Sequence, residues 1–78
     1  MIDFELYRIF VAVAKEENIT KASEQLSISQ PAITKQIKNL ENQLSVKLFE
    51  RKSKGVSLTQ EGENLYKKLS SPIEELNK

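Results

Sequence analysis

Apolar residues recur at steps of three and four through most of this chain, and only Pro31, Gly55, Gly62 and Pro72 break the rhythm. That period belongs to amphipathic helices, each offering one face to a shared core. With 78 residues there is material for one small domain. A chain this short buries only about 60% of its unfolded surface, so its helices must pack on one another.

Four helices and one hairpin are predicted. From Asp3 to Glu17, the residues Phe4, Tyr7, Phe10, Val11 and Ala14 share a face; Asp3 caps the first turn and Asn18 ends the helix. A short second helix runs from a Thr20 cap to Leu26, with Ala22 and Ser23 small enough for another helix to cross closely. Ser27-Ile28-Ser29 forms a turn with Ile28 tucked inward. The third helix, Gln30 to Leu44, is capped by Ser29 and carries Pro31 in its first turn, where a missing N–H costs nothing. Ile33, Ile37, Leu40 and Leu44 form its apolar stripe, and Gln30, Thr34, Lys35, Lys38 and Asn42 lie opposite.

Two short runs, Lys47 to Arg51 and Val56 to Leu58, flank Lys52-Ser53-Lys54-Gly55 and predict a small hairpin with Gly55 at positive φ. Such a hairpin is marginal alone, so Leu48, Phe49, Val56 and Leu58 must lean on the helices. The last helix starts at a Thr59 cap, and its stripe is Leu65, Leu69, Ile73 and Leu76. Ser71-Pro72-Ile73-Glu74 repeats a helix-start signal, which predicts a kink or break near Ser70–Ser71.

Composition excludes much chemistry. The chain has no cysteine and no histidine, so disulfides, thiolate nucleophiles, imidazole bases and the common zinc sites are ruled out, and no cofactor or metal is expected. Glu16-Glu17 and Glu74-Glu75 are neighbours in sequence, so on a helix each pair diverges by about 100° and cannot share a reacting atom. Gly55 and Gly62 are isolated and form no phosphate loop. Tyr7 and Tyr66 read as packing and not as stacking platforms for single strands. An enzyme is not expected. No apolar run reaches the roughly 18 residues of a membrane span, and no signal peptide is read at the start.

The net charge of +1 hides a division along the chain. Residues 1–29 carry net −2 and residues 56–78 net −1, whereas residues 30–55 carry net +4, with Lys35, Lys38, Lys47, Arg51, Lys52 and Lys54 against Glu41 and Glu50. A basic middle between acidic flanks suits a face that meets a polyanion, although a solvated lysine-rich surface gives the same count.

A short helix, a tight turn and a second helix with a polar, basic outer face form a helix-turn-helix, and the following hairpin makes it a winged one. A helix fits the major groove of B-DNA with its first turn toward base edges. There Gln30 can pair with adenine, Thr34 can meet a thymine methyl, and Lys35 can reach guanine or a phosphate. Double-stranded DNA is favoured over RNA, whose deep, narrow groove excludes a helix. The fold class expected is mainly α, a winged helix-turn-helix with a three-helix core, a two-stranded β wing and a C-terminal linker or dimerisation helix. Residues 1–58 form the DNA-binding part, with the helix-turn-helix at about 18–38 and the wing at about 47–58, and residues 59–78 form the last helix.

The run from Ala22 to Glu41, with its Gln30-Pro31 and Leu40-Glu41 pairs, then Leu44, Leu48-Phe49-Glu50-Arg51, Leu58-Thr59 and Gly62, resembles the N-terminal DNA-binding domain of LysR-type transcriptional regulators. So does Phe10-Val11-Ala12-Val13-Ala14, and the likeness covers residues 4 to about 66. The resemblance implies a homodimer on promoter DNA, paired through the last helix by Leu65, Leu69, Ile73 and Leu76. It implies groove-reading roles for Gln30, Pro31, Thr34 and Lys35, backbone contacts for Thr20, Lys38 and Arg51, and a wing-tip role for Lys54. It further implies a C-terminal domain, absent from these residues, that alone would take a small-molecule effector. This sequence departs from the pattern at Ser23, Ser27, Ser45 and Lys35, which replace a usual alanine, a glycine, a glycine and an arginine, and at Pro72. A rival reading is a helical protein-interaction module that uses the Leu65, Leu69, Ile73 and Leu76 stripe.

Overall fold

Helix α1 spans Phe4–Glu16, and the Asp3 carboxylate accepts from the Glu5 N–H at 2.9 Å, as its capping sequence requires. The structure is a computed structural model that describes residues 3–76, with side chains described from Asp3 to Leu69. Glu17 closes α1 in the left-handed conformation at φ 52°. Asn18 does not end this helix. It is the N-cap of α2 (Ile19–Leu26), where its side chain accepts from the Lys21 N–H at 2.9 Å. Thr20 therefore lies inside the first turn and is not the cap: asparagine is the stronger capping residue, and the reversal at Glu17 sets Asn18 in extended backbone ahead of it. The Thr20 carbonyl accepts from the Ser23 hydroxyl at 2.7 Å, which satisfies the serine standing where an alanine is usual.

Ser27 turns the chain at φ 57°, and Ser29 caps α3 (Gln30–Leu44) by accepting from the Ala32 N–H at 3.2 Å, with Pro31 in the first turn. Ser45 ends α3, again left-handed at φ 57°. Strands β1 (Phe49–Lys52) and β2 (Gly55–Leu58) pair antiparallel, with Phe49 opposite Leu58 and Arg51 opposite Val56. Ser53 and Lys54 make the turn, and Gly55 takes the positive φ of 94°.

Helix α4 (Gln60–Leu76) begins at Thr59, whose hydroxyl accepts from the Gly62 N–H at 3.0 Å and donates to the Lys47 carbonyl at 2.6 Å. Gly62 is buried against Leu48; a Cβ there would lie 2.2 Å from the Leu48 carbonyl oxygen. The break anticipated near Ser70–Ser71 does not occur, and α4 is continuous through Pro72. Proline inside a helix removes one N–H donor and crowds the carbonyl four residues before it, which can kink a helix without ending it.

The core forms around α1, which packs against α2, α3 and α4. Leu6, Ile9 and Val13 join Tyr7, Phe10 and Val11 in the buried cluster, so α1 is buried on more than its predicted face. A helix surrounded by three others buries most of its circumference. Phe4, at the exposed start, is 48% accessible and does not belong to the core. Ala22, Ile33, Ile37, Leu40, Leu48 and Val56 complete the cluster, and Ile28 packs at its edge. The rings of Phe10 and Phe49 meet with centroids 5.4 Å apart, so the wing's first strand touches the central helix.

Candidate nucleic-acid interface

Burial of Ile33, Ile37 and Leu40 fixes the rotation of α3, because residues on one helical face oblige the opposite face to point outward. That outward face is continuous: Gln30, Pro31, Thr34, Lys35, Lys38 and Asn39 border one open surface. All the residues assigned to base reading are thus on it, together with Lys38. Gln30, Pro31, Lys35 and Lys38 are exposed, whereas Thr34 is half-buried and sits where α3 meets the wing.

A second, polar groove joins this face. Asn18, Thr20, Gln30, Thr34, Arg51, Lys52 and Ser53 line it, between the starts of α2 and α3 and the wing. Arg51 reaches it because Phe49, Arg51, Val56 and Leu58 share the helix-facing side of the hairpin, by the alternation of strand side chains. The starts of α2 and α3 border this groove, and the positive ends of their helix dipoles favour an anion. Thr20 and Arg51, both assigned to DNA backbone, are therefore neighbours of the outward face of α3. Lys54 stands apart at the exposed tip of the turn.

The cations are available. Lys35, Lys38, Arg51 and Lys54 form no ion pair among the described residues, where Glu5 and Arg8 pair at 2.7 Å. The Glu41 carboxylate is engaged by the chain itself, accepting from the Leu48 N–H at 2.7 Å and the Phe49 N–H at 3.3 Å. One acidic group of the basic segment is thereby occupied with backbone.

The stripe on α4 is placed differently. Leu65 and Leu69 are half-buried and pack against the core of their own chain. Ile73 and Leu76 lie outside the residues whose side chains are described.

Sequence reasoning overlooked Asn18, Asn39 and Ser53 as parts of these surfaces and Glu41 as a loop anchor. Asn39 follows Lys35 by four residues, a spacing that signals a shared helical face. Ser53 and Asn18 carried no such sign, because a turn and a cap reach the groove only through tertiary packing.

A model of the bacterial regulatory helix-turn-helix protein, lysR family, matches residues 4–63. The chain belongs to that family. It is similar to the HTH-type transcriptional regulator CitR of Bacillus subtilis (strain 168), 49% identical over 61 residues that make up 78% of this chain and 21% of CitR. The chain thus spans about a fifth of that relative, a transcriptional regulator. In the crystal structure of the BenM DBD–catB site 1 DNA complex, the matching fold has a TM-score of 0.84 and 40% identity, over 96% of this chain and 88% of that one. The CbnR DBD–DNA complex gives a TM-score of 0.87 and 34% identity, over 97% and 87%. The fold is the winged helix-turn-helix of LysR-type DNA-binding domains.

Proposed function

We propose that this chain binds double-stranded promoter DNA sequence-specifically, as the N-terminal part of a LysR-type transcriptional regulator. The observation that carries the reading is the outward face of α3: Gln30, Pro31, Thr34 and Lys35 follow one another around its first turns, beside free cations. In this reading the first turn of α3 lies in the major groove. The Gln30 amide and the Lys35 ammonium meet base edges, and Pro31 and Thr34 offer apolar contact to thymine methyls. Thr20, Lys38 and Arg51 hold phosphates, and Lys54 at the wing tip follows the adjacent minor groove.

The chain works as a homodimer through α4, with Leu65, Leu69, Ile73 and Leu76 along the seam. Residues 1–58 bind DNA and residues 59–78 link and dimerise. Effector control belongs to a further domain, and the site of action is the cytoplasm, where promoter DNA is. No helix among the described residues is long and apolar enough to cross a membrane.

A salt titration on duplex DNA tests this reading. Log affinity should fall linearly with log salt, by about 0.9 per phosphate held. Affinity that ignores salt, or that is equal for every duplex, contradicts it.

A further inference from the structure

The geometry points to Glu41 as the residue that positions the wing for DNA, an inference that rests on the function proposed above. One of its two carboxylate oxygens, Oε2, accepts from both the Leu48 and Phe49 N–H groups, at 2.7 and 3.3 Å, and its backbone carbonyl accepts from the Val46 N–H at 3.2 Å. A single residue of α3 thus organises the whole passage from that helix to the first strand. The carbonyls of the same passage are taken from the other side: Thr59 donates its hydroxyl to Lys47 and its N–H to Leu48, at 2.6 and 3.0 Å. The root of the wing is therefore suspended between α3 and the start of α4. Arg51 stands two residues beyond Phe49 on the same side of the strand. A rotation of this root would change the place of Arg51 relative to Thr20 and Thr34, the residues with which it lines the polar groove.

A glutamate is a poor choice for this position on general grounds. It lies in the last turn of α3, where the helix dipole disfavours negative charge. It also adds negative charge to the segment that meets a polyanion. The two N–H groups supply the compensation, and two opposed expectations follow. If Glu41 acts only as a charge, removing it strengthens DNA binding. If it positions the wing, removing its acceptor weakens binding.

The test compares Glu41→Ala and Glu41→Gln in the full chain, on a duplex that the unaltered protein has selected from random DNA. Glu41→Ala should bind about tenfold more weakly, the equivalent of one charge-assisted hydrogen bond. Its salt dependence should be shallower by about one phosphate while its base preference is unchanged. Glu41→Gln keeps an acceptor and should retain the salt dependence and bind at least as well as the unaltered chain. Combining Glu41→Ala with Arg51→Ala should add little to Arg51→Ala alone, since both remove the same contact. If Glu41→Ala does not fold, Glu41→Asp replaces it with the same expectation, being charged but too short to reach both N–H groups. Unchanged or tighter binding by a folded Ala or Asp variant overturns the proposal, as does loss of base preference, which would place the effect in α3. Failure of the unaltered chain to select any sequence would instead sink the function itself.

Discussion

Helix α3 and the wing border the same groove, yet they are secured differently. Ile33 and Leu40 are fully enclosed and Ile37 nearly so, and the helix is anchored along its length by apolar burial. The wing has strands of four residues, of which only Val56 is buried, with Phe49 and Leu58 half-buried. It hangs on hydrogen bonds: from Leu48 and Phe49 to Glu41, and from Val56 to the Glu17 carbonyl at 3.2 Å. Burial is non-directional and difficult to adjust, whereas a few hydrogen bonds fix an angle and can be altered singly. Helix α3 is thus held by the core along its buried face, and the wing is held beside it chiefly by directional bonds at its root.

The largest effect expected on this comparison is at Leu40. Leu40→Ala leaves a cavity beneath α3 and should cost about 2–5 kcal/mol, most of the stability of a domain this small. Urea denaturation would measure it, and a loss under about 1 kcal/mol would mean that burial does not anchor the helix. Gly55→Ala strikes the wing where it meets the end of α1. Its Cβ would lie 2.3 Å from the Glu17 carbonyl oxygen, at a φ of 94° that suits glycine, so a cost of about 1–3 kcal/mol is expected. Amide exchange should show protection lost at Val56 and kept in α1 and α3. Equal loss throughout would show that wing and core open together.

Lys38→Ala sharpens the division between reading and holding. It should weaken binding to all sequences alike and lower the salt slope by about 0.9, with stability unchanged. A selective loss on one sequence would move Lys38 into the reading set. The smallest effect is a gain: Ser45→Gly relieves a left-handed serine at φ 57° and should stabilise by about 0.5–1 kcal/mol in thermal denaturation.

The bounds of α3, its Ser29 cap and the outward set from Gln30 to Lys38 were legible because helical period and capping chemistry are local. The positive φ at Gly55 was legible for the same reason. The displacement of the α2 cap from Thr20 to Asn18 was not, because two capping residues compete within three positions and the tight reversal at Glu17 decides between them. Phe4 was drawn into the core by its spacing, but at the start of α1 it remains 48% accessible. Leu65 and Leu69 read as an outward seam, yet part of their surface serves the chain's own core. A stripe specifies that it must be covered, not by what. Glu41 gave no sign of its anchoring role, since its two donors lie seven and eight residues away in an irregular loop.

The claim that the first turn of α3 reads bases is tested most directly by selecting bound sequences from random duplex DNA with the unaltered chain and with Gln30→Ala. The account predicts that the substitution relaxes preference at one base pair of the selected site, by about 1–3 kcal/mol, and leaves the other positions as they were. An identical motif from both proteins would contradict it.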